Sequence, residues 1–230
     1  MENTAKTFAI RTFGRIRGKK LSARQQWLVD NLLPELRPES NKETGGQFIL
    51  EIGFGAGEHL RELAARNPEH IIIGAEPFIN GVASLLSAMT NESDNSIKTE
   101  YQNIRIWPDD VRKLLSGSDL RFTQIWILHP DPWPKARHEK RRLLSAEFLN
   151  LLYPRLAAAG RIIIGTDHWE YFDWIMGQAA NTKLKSEVRN QKSKIIPTRY
   201  QQKNKAETDA PKYLILTNKN RPACMISAKN

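Results

Sequence analysis

Short hydrophobic blocks alternate with amphipathic segments along most of the chain. The blocks are rich in Ile, Leu and aromatic residues and predict strands that are buried on both faces. The segments between them place apolar residues at helical spacing. This alternation predicts an α/β fold built on a doubly wound, mostly parallel sheet. The predicted strands are 48–52, 70–75, 104–107, 122–128 and 161–165, with late strands at 213–217 and 225–227 that would form an antiparallel edge, and the predicted helices are 58–66, 78–89, 110–115, 145–156 and 167–178.

The N-terminal part of the chain precedes this alternation. Residues 1–20 are polar, basic and aperiodic, and we expect them to form a flexible arm. Ser22 and Gln25 have the spacing of a capping box, which predicts the start of a helix, and Pro38 ends that helical segment. No internal repeat is visible, so we expect residues 21–230 to form one domain.

The formal net charge of +10 is unevenly distributed. Residues 1–20 and 181–230 carry an excess of Lys and Arg, whereas the segment between them has a slight excess of Asp and Glu. A basic frame around a mildly acidic centre suits a polyanion that contacts the rim of a site, which favours a nucleic acid as partner. A solubilising role for the basic ends is the alternative.

Composition also limits the classes of protein. The single cysteine, Cys224, excludes an intramolecular disulfide and a cysteine-rich zinc site, and the five histidines lack metal-ligand spacing. No apolar run approaches the length of a membrane span, and the N-terminus lacks an apolar leader segment. We therefore expect a cytoplasmic protein with no metal and no membrane partner.

A glycine-rich turn follows the first predicted strand. Residues 51–57 read EIGFGAG, with Gly53 and Gly55 where a strand passes into a helix. Glycines at such a turn let the backbone approach a ligand closely. The spacing is G-x-G-x-G, so it departs from the dinucleotide fingerprint G-x-G-x-x-G. A tight turn without a ligand is the alternative interpretation.

Acidic residues lie at or near the ends of three successive predicted strands. Glu76 is placed to accept the two hydroxyls of a ribose. Glu51, beside the glycine turn, would repel a pyrophosphate but attract the ammonium and sulfonium groups of S-adenosylmethionine. Asp109 is placed to reach an adenine amino group, or to cap the following helix. Together these acids favour a methyltransferase that uses S-adenosylmethionine as cofactor.

The stretch HPDPWPKARHEKRR follows the fourth predicted strand, at residues 129–142. Pro130 and Pro132 place Asp131 in an extended loop, because neither a helix nor a strand ladder continues through them. The carboxyl end of a strand is where open α/β sheets bind ligands. A proline-stiffened turn followed by a solvated charge run is the alternative. Trp133 follows the loop, and the cations that come after it are Lys135, Arg137, Lys140, Arg141 and Arg142.

These motifs resemble those of the bacterial tRNA (guanine-N7)-methyltransferases. The resemblance extends from about residue 50 to 203 and is most specific in the Pro-Asp-Pro-Trp stretch with its basic tail. It implies a Rossmann-like class I methyltransferase that transfers a methyl group from S-adenosylmethionine to N7 of the variable-loop guanosine of tRNA, at position 46. It leaves monomer and homodimer both open. The residues that carry it are Leu50–Gly55, Gly74–Glu76, Pro130–His138, Lys140–Arg142, Thr166, Asp167, Tyr171 and Thr198–Tyr200.

The resemblance also implies residue roles. The cofactor site would be lined by Glu51, Glu76, Asp109 and Asp131, together with the glycine turn at Gly53 and Gly55. The tRNA would be met by Lys135, Arg137, Lys140, Arg141, Arg142, Asp167, Thr198, Arg199, Tyr200 and Gln201. Two positions depart from the family pattern: His129 replaces an aromatic residue, and Gln201 replaces a glutamate.

The chemistry that the resemblance implies needs little from the protein beyond alignment and charge. Guanine N7 carries a lone pair and no proton, so no general base is required. Asp131 is the expected catalytic residue, because its carboxylate is able to accept from guanine N1–H and N2–H and to stabilise the developing cation. Two alternatives stay open at this point: a methyltransferase acting on an exocyclic amine of another RNA, and a non-catalytic RNA-binding protein on the same fold.

Overall fold

The computed structural model describes residues 13–14, 18–38, 47–189 and 212–219. Strands and helices alternate through most of this range, as the hydrophobic pattern predicts. The strands are β1 Gln47–Ile52, β2 His70–Ala75, β3 Ile104–Trp107, β4 Phe122–Leu128, β5 Leu156–Thr166, β6 Leu184–Arg189 and β7 Lys212–Asn218, and the helices are α1 Ala23–Asn31, α2 Glu58–Arg66, α3 Ile79–Met89, α4 Val111–Ser116, α5 Ala146–Leu152 and α6 Trp169–Ala180. Short 3₁₀ helices cover Leu33–Leu36, Thr99–Tyr101, Ala136–Arg141 and Tyr153–Arg155.

The strands form one sheet in the order β3-β2-β1-β4-β5-β7-β6. β1 to β5 are parallel, and β7 and β6 complete the sheet in antiparallel pairing. The strand order reverses between β1 and β4, and in sheets of this kind the crevice outside the carboxyl ends at the reversal binds ligands. The predicted fold class, including its antiparallel edge, is confirmed. The possible strand at 225–227 lies outside the described residues.

The sheet is covered on both faces, which explains the apolar character of its strands. Neighbouring residues of β1 point to opposite sides, so that Ile49 belongs to one core and Leu50 to the other. The first core contains Leu28 of α1 and Leu85 of α3, and the second contains Phe148 of α5. Both faces of a central strand must therefore be apolar, and no alternation survives in its sequence.

The N-terminal helix begins as predicted but ends early. Gln25 N–H donates to Ser22 Oγ at 3.2 Å, and Ser22 N–H donates to Gln25 Oε1 at 3.1 Å, which completes the capping box. The α-helix stops at Asn31 and a 3₁₀ helix with Pro34 in its first turn follows. Proline lacks the N–H that would continue the α-helix. The segment thus still delivers Leu36 to the core, but through two short helices.

β5 begins earlier than the sequence predicts. The predicted helix 145–156 ends at Leu152 as an α-helix, and Pro154 lies in the 3₁₀ turn that follows. β5 then runs from Leu156 and includes Gly160, where a Cβ atom would lie 2.6 Å from the carbonyl oxygen of Phe122. The close approach explains why a glycine stands inside this strand.

No helix within the described residues has both the length and the hydrophobicity that crossing a bilayer requires.

Candidate active site

A cavity of about 1060 Å³ opens at the carboxyl ends of β1, β2 and β4. The glycine turn after β1 contributes Gly53, the end of β2 contributes Glu76, and the loop after β4 contributes Asp131. The basic stretch, residues 135–142, adds Lys140 and Arg141 from its 3₁₀ helix. The cavity therefore joins the three motifs that the sequence singles out: the glycine turn, the acids and the basic stretch.

One side of the glycine turn is unoccupied by described protein atoms, and α3 packs against the other side. Gly53 and Gly55 have φ of +76° and +59°, values that favour glycine. No described atom lies within 4 Å of the Cβ that a side chain would add at either position. On the other side, a Cβ at Gly81 of α3 would collide with the carbonyl oxygen of Gly55. α3 thus holds the turn from behind, and its free side fits a ligand that contacts the backbone.

Glu76 joins β2 to that turn. Its Oε2 accepts from the backbone N–H of Gly55 and its Oε1 from that of Phe78, both at 2.9 Å. The residue is 8% exposed. Burial raises the pKa of Glu76, the two backbone hydrogen bonds oppose that rise, and the negative charges of Glu51 and Asp131 add to it. Each oxygen keeps a second lone pair, so the carboxylate is able to accept hydroxyl groups from the cavity side.

Glu51 lies deeper than the sequence suggests. It is 2% exposed, and its Oε2 lies 3.1 Å from Nδ1 of His59 in α2. The two atoms are at ion-pair distance without the angles of a hydrogen bond. The His59 ring packs against Trp126, with centroids 4.8 Å apart. The sequence does not predict the contact between His59 and Glu51. The glycine turn separates the two residues, and the path of that turn is not evident from the sequence.

Of two adjacent aspartates, Asp110 and not Asp109 caps the helix and lines the cavity. The Oδ2 of Asp109 lies 2.7 Å from Lys113 Nζ. Asp110 is 6% exposed, lines the cavity and caps α4 by accepting from Arg112 N–H at 2.9 Å. The Arg112 guanidinium also donates to both oxygens of Asp110. The alternative that Asp109 is the helix cap is therefore wrong, and the carboxylate next to the cavity at this strand end is that of Asp110.

The loop after β4 has an unusual backbone. His129 and Trp133, on either side of Asp131, have φ of +49° and +42°. Bulky residues rarely adopt such values, which cost of the order of 1–3 kcal/mol each. The His129 N–H donates to the carbonyl of Gly165 in β5 at 2.7 Å. This hydrogen bond fixes the direction in which the loop leaves the end of β4. Asp131 is exposed at the cavity, and among the described residues none donates a hydrogen bond to its carboxylate.

One cation of the basic stretch, Arg142, has a largely buried side chain. The side chain of Arg142 is only 9% exposed, and its Nε donates to the Pro132 carbonyl at 2.9 Å. The neighbouring Arg141 guanidinium lies over the Trp133 ring at 5.0 Å and over Phe13 at 5.8 Å. The remaining cations of the predicted cluster are exposed: Lys135, Arg137 and Lys140.

Asp167 lies on the other side of the loop. Its Oδ1 is 3.5 Å from Nδ1 of His129, and its side chain is 17% exposed. Burial lowers the pKa of His129, and the charge of Asp167 opposes this shift. The remaining predicted tRNA-contacting residues lie outside the described part of the chain: Thr198, Arg199, Tyr200 and Gln201.

Comparison with known proteins identifies the family. A family model described as "Putative methyltransferase" matches residues 46–213. A tRNA (guanine-N(7)-)-methyltransferase of Caulobacter vibrioides is 39% identical over 173 residues, which are 72% of this chain and 74% of that protein. One from Rhodospirillum rubrum is 34% identical, over 93% of this chain and 89% of its own. The chain belongs to the tRNA (guanine-N(7)-)-methyltransferase family. The family resemblance seen in the sequence motifs is thus confirmed.

Solved structures agree with this family's fold. A 16S rRNA methyltransferase has a TM-score of 0.53 at 14% identity, covering 89% of this chain and 97% of its own. An antibiotic-related methyltransferase has a TM-score of 0.52 at 12% identity, covering 87% and 96%. At these identities the similarity concerns the fold alone, and it supports the Rossmann-like architecture of this tRNA (guanine-N(7)-)-methyltransferase family member.

Proposed function

We propose that this protein transfers a methyl group from S-adenosylmethionine to N7 of the variable-loop guanosine at position 46 of tRNA. The observation that supports this function best is the position of Asp131. Its carboxylate is exposed at the cavity, close enough to raise the pKa of Glu76 through its charge, and the basic stretch begins four residues later. A cofactor pocket, an acceptor for a base and a source of phosphate contacts thus meet at one place.

The cofactor-binding role falls to the glycine turn and to the acids around it. Gly53 and Gly55 offer an open backbone, and Glu76 offers a buried carboxylate for ribose hydroxyls. When bound, S-adenosylmethionine supplies a methyl group activated by a sulfonium charge. Glu51, behind the turn, contributes negative charge that favours a cationic ligand over a pyrophosphate. For the adenine end, Asp110 is better placed than Asp109, because only Asp110 lines the cavity.

Asp131 acts on the guanine. A carboxylate with two oxygens is able to accept from N1–H and N2–H together and so to orient the base. The purine gains positive charge as N7 is methylated, and a carboxylate beside it stabilises that charge. N7 has no proton to remove, so the residues around Asp131 need only hold the base and exclude water. Asp167, beside His129, supplies a second acid near the same loop.

The tRNA partner accounts for the exposed cations. Lys135, Arg137 and Lys140 project from the surface next to the cavity, with Arg141 at its rim. Unstacking a base costs a few kcal/mol, and phosphate contacts offset that cost. A tRNA substrate also favours a cytoplasmic location.

The decisive experiment is methylation of total tRNA with isotope-labelled S-adenosylmethionine, followed by nucleoside mass spectrometry and mapping of the modified position. We expect N7-methylguanosine at position 46, with tRNA and labelled S-adenosylmethionine without the protein as the blank. A methylated exocyclic amine would replace this proposal with the alternative RNA methyltransferase. Binding of tRNA with no methylation and no cofactor affinity would identify a non-catalytic RNA-binding protein.

A further inference from the structure

We infer that Arg142 is a positioning residue for the loop that carries Asp131 and is not one of the cations that contact tRNA phosphates. The inference rests on the proposed function, because it concerns how that function's carboxylate is held. Sequence alone groups Arg142 with the other cations of the basic stretch. Its contacts in the structure separate it from them.

The loop is poor in its own hydrogen-bond donors. Residues 130–134 read PDPWP, so only Asp131 and Trp133 carry a backbone N–H. Carbonyl groups in such a segment need a donor from elsewhere in the chain. Arg142 provides it: Nε donates to the Pro132 carbonyl at 2.9 Å, and Nη2 donates to the Trp133 carbonyl at 3.4 Å. One planar guanidinium thereby holds the two carbonyls that directly follow Asp131.

The same guanidinium is fixed to the body of the protein. It lies 5.0 Å from the ring centroid of Trp174 and 5.5 Å from that of Tyr171, both in α6. Tyr171 is fully buried, and Nη1 of Arg142 lies 3.4 Å from Glu139 Oε1. The loop is thus linked through Arg142 to a helix that packs in the core. A phosphate contact would require Arg142 to leave these partners.

The backbone of the loop explains why an anchor is needed. His129 and Trp133 have positive φ, which neither side chain favours. Conformations of this kind persist only when the surroundings hold them. Without the two hydrogen bonds that the Arg142 guanidinium donates to the loop carbonyls, we expect the loop to relax and Asp131 to move away from its place at the cavity. Misplacement of a reacting group by about 1 Å can cost on the order of 10²-fold in rate.

Arg142→Lys and Arg137→Lys form a matched pair for the test, because Arg137 is an exposed cation of the 3₁₀ helix that directly precedes Arg142. Each keeps the charge, but the lysine at 142 loses the planar fork to the two carbonyls. For Arg142→Lys we expect kcat to fall by about 10-fold to 10²-fold, judged by the cost of misplacement. The KM for tRNA should stay at the parent value, and Arg142→Ala, which removes the charge, should leave the slope of log K against log salt unchanged. Arg137→Ala should instead weaken tRNA binding and make that slope shallower, with a smaller effect on kcat.

Two further measurements test the role of the guanidinium, and the first of them does not depend on turnover by the cofactor-bound enzyme. Hydrogen exchange of the cofactor-free protein should show faster exchange in the peptide containing Asp131 and Trp133 for Arg142→Lys, and parent-like exchange for Arg137→Lys. Activity lost in Arg142→Ala should return partly with millimolar methylguanidinium and not with methylammonium, because only the former reproduces the fork.

A shallower salt slope in Arg142→Ala, with parent-like exchange in the loop of Arg142→Lys, would overturn the inference and place Arg142 on the phosphates. Parent-like kcat would overturn it as well. These outcomes are distinct from failure of the proposed function, in which the parent protein itself would not methylate tRNA. The exchange measurement retains its meaning in that case, because it reports on the loop alone.

Discussion

Glu76 and Gly55 are joined by a hydrogen bond of 2.9 Å, from the backbone N–H of the glycine turn to the carboxylate at the end of β2. The acid expected to bind the ribose is thus also the acid that fixes the turn on which the cofactor would lie. Its second oxygen fixes the backbone at Phe78. We therefore expect cofactor affinity and the shape of the turn to depend on the same side chain.

Replacing Glu76 by Ala should weaken S-adenosylmethionine binding by an order of magnitude or more. Hydrogen bonds to a charged group are worth about 1.5–3 kcal/mol, and the ribose would lose its charged acceptor. Calorimetry on the cofactor-free protein measures the change. Glu92→Ala, an exposed acid far along the chain from the turn, serves as control and should bind as the parent does. Tight binding of NADH with no binding of S-adenosylmethionine would contradict the cofactor assignment.

Asp131→Asn should reduce kcat by roughly 10²-fold or more, with cofactor affinity little changed. The amide is nearly isosteric but lacks the charge that faces the purine as it becomes cationic. Single-turnover kinetics with saturating tRNA separates this effect from binding. If the variant keeps the parent kcat, Asp131 only shapes the Pro-Asp-Pro turn.

The cations that line the cavity, Lys140 and Arg141, should act through phosphates. Replacing Lys140 and Arg141 by Ala should weaken tRNA binding and make the slope of log K against log salt shallower by about one unit for each lost contact. Filter binding over a salt series measures the slope. Lys185→Ala, on the exposed strand β6, should leave it unchanged. A slope that does not respond to the double replacement would show that these side chains are only solvated.

His129 should make the folded protein sensitive to acid. Burial lowers its pKa, so its contribution to stability is present above the ordinary histidine pKa of about 6.5 and is lost as pH falls through and below that value. His129→Phe should remove this part of the dependence of melting temperature on pH. Asp167→Asn should steepen it, because the carboxylate that opposes the pKa shift is gone. Parallel curves for all three proteins would show that His129 titrates as it does in the unfolded chain.

The hydrophobic pattern predicts the central sheet well because burial dominates there. β2 and β4 have the predicted bounds, since each is largely apolar between polar residues. β3 also has its predicted bounds although it forms one edge of the sheet, because Ile104 and Ile106 are buried. β6, at the other edge, was missed because Lys185, Ser186 and Glu187 are exposed, so its sequence lacks an apolar run.

The sequence predicts which motifs form the candidate site, but it does not predict how all of their side chains are arranged. The glycine turn, Glu76 and Asp131 all meet at the cavity. The choice between Asp109 and Asp110 depends on side-chain direction at one helix start, and neighbouring carboxylates look alike in sequence. The inward position of Arg142 depends on Trp174 of α6, more than thirty residues further along the chain. Only packing between distant segments distinguishes it from the other cations.

The strand order has a consequence for synthesis of the protein. β7 follows β6 in the chain but lies between β5 and β6 in the sheet, and it is the only strand paired with β6 in the described structure. While the chain is emerging from a ribosome, β5 therefore keeps an open edge until residue 218 has appeared. An exposed edge of this kind invites pairing with other chains. A premature stop before Lys212 would make that open edge permanent, so such truncated products should aggregate even though the cofactor-binding half of the sheet is complete.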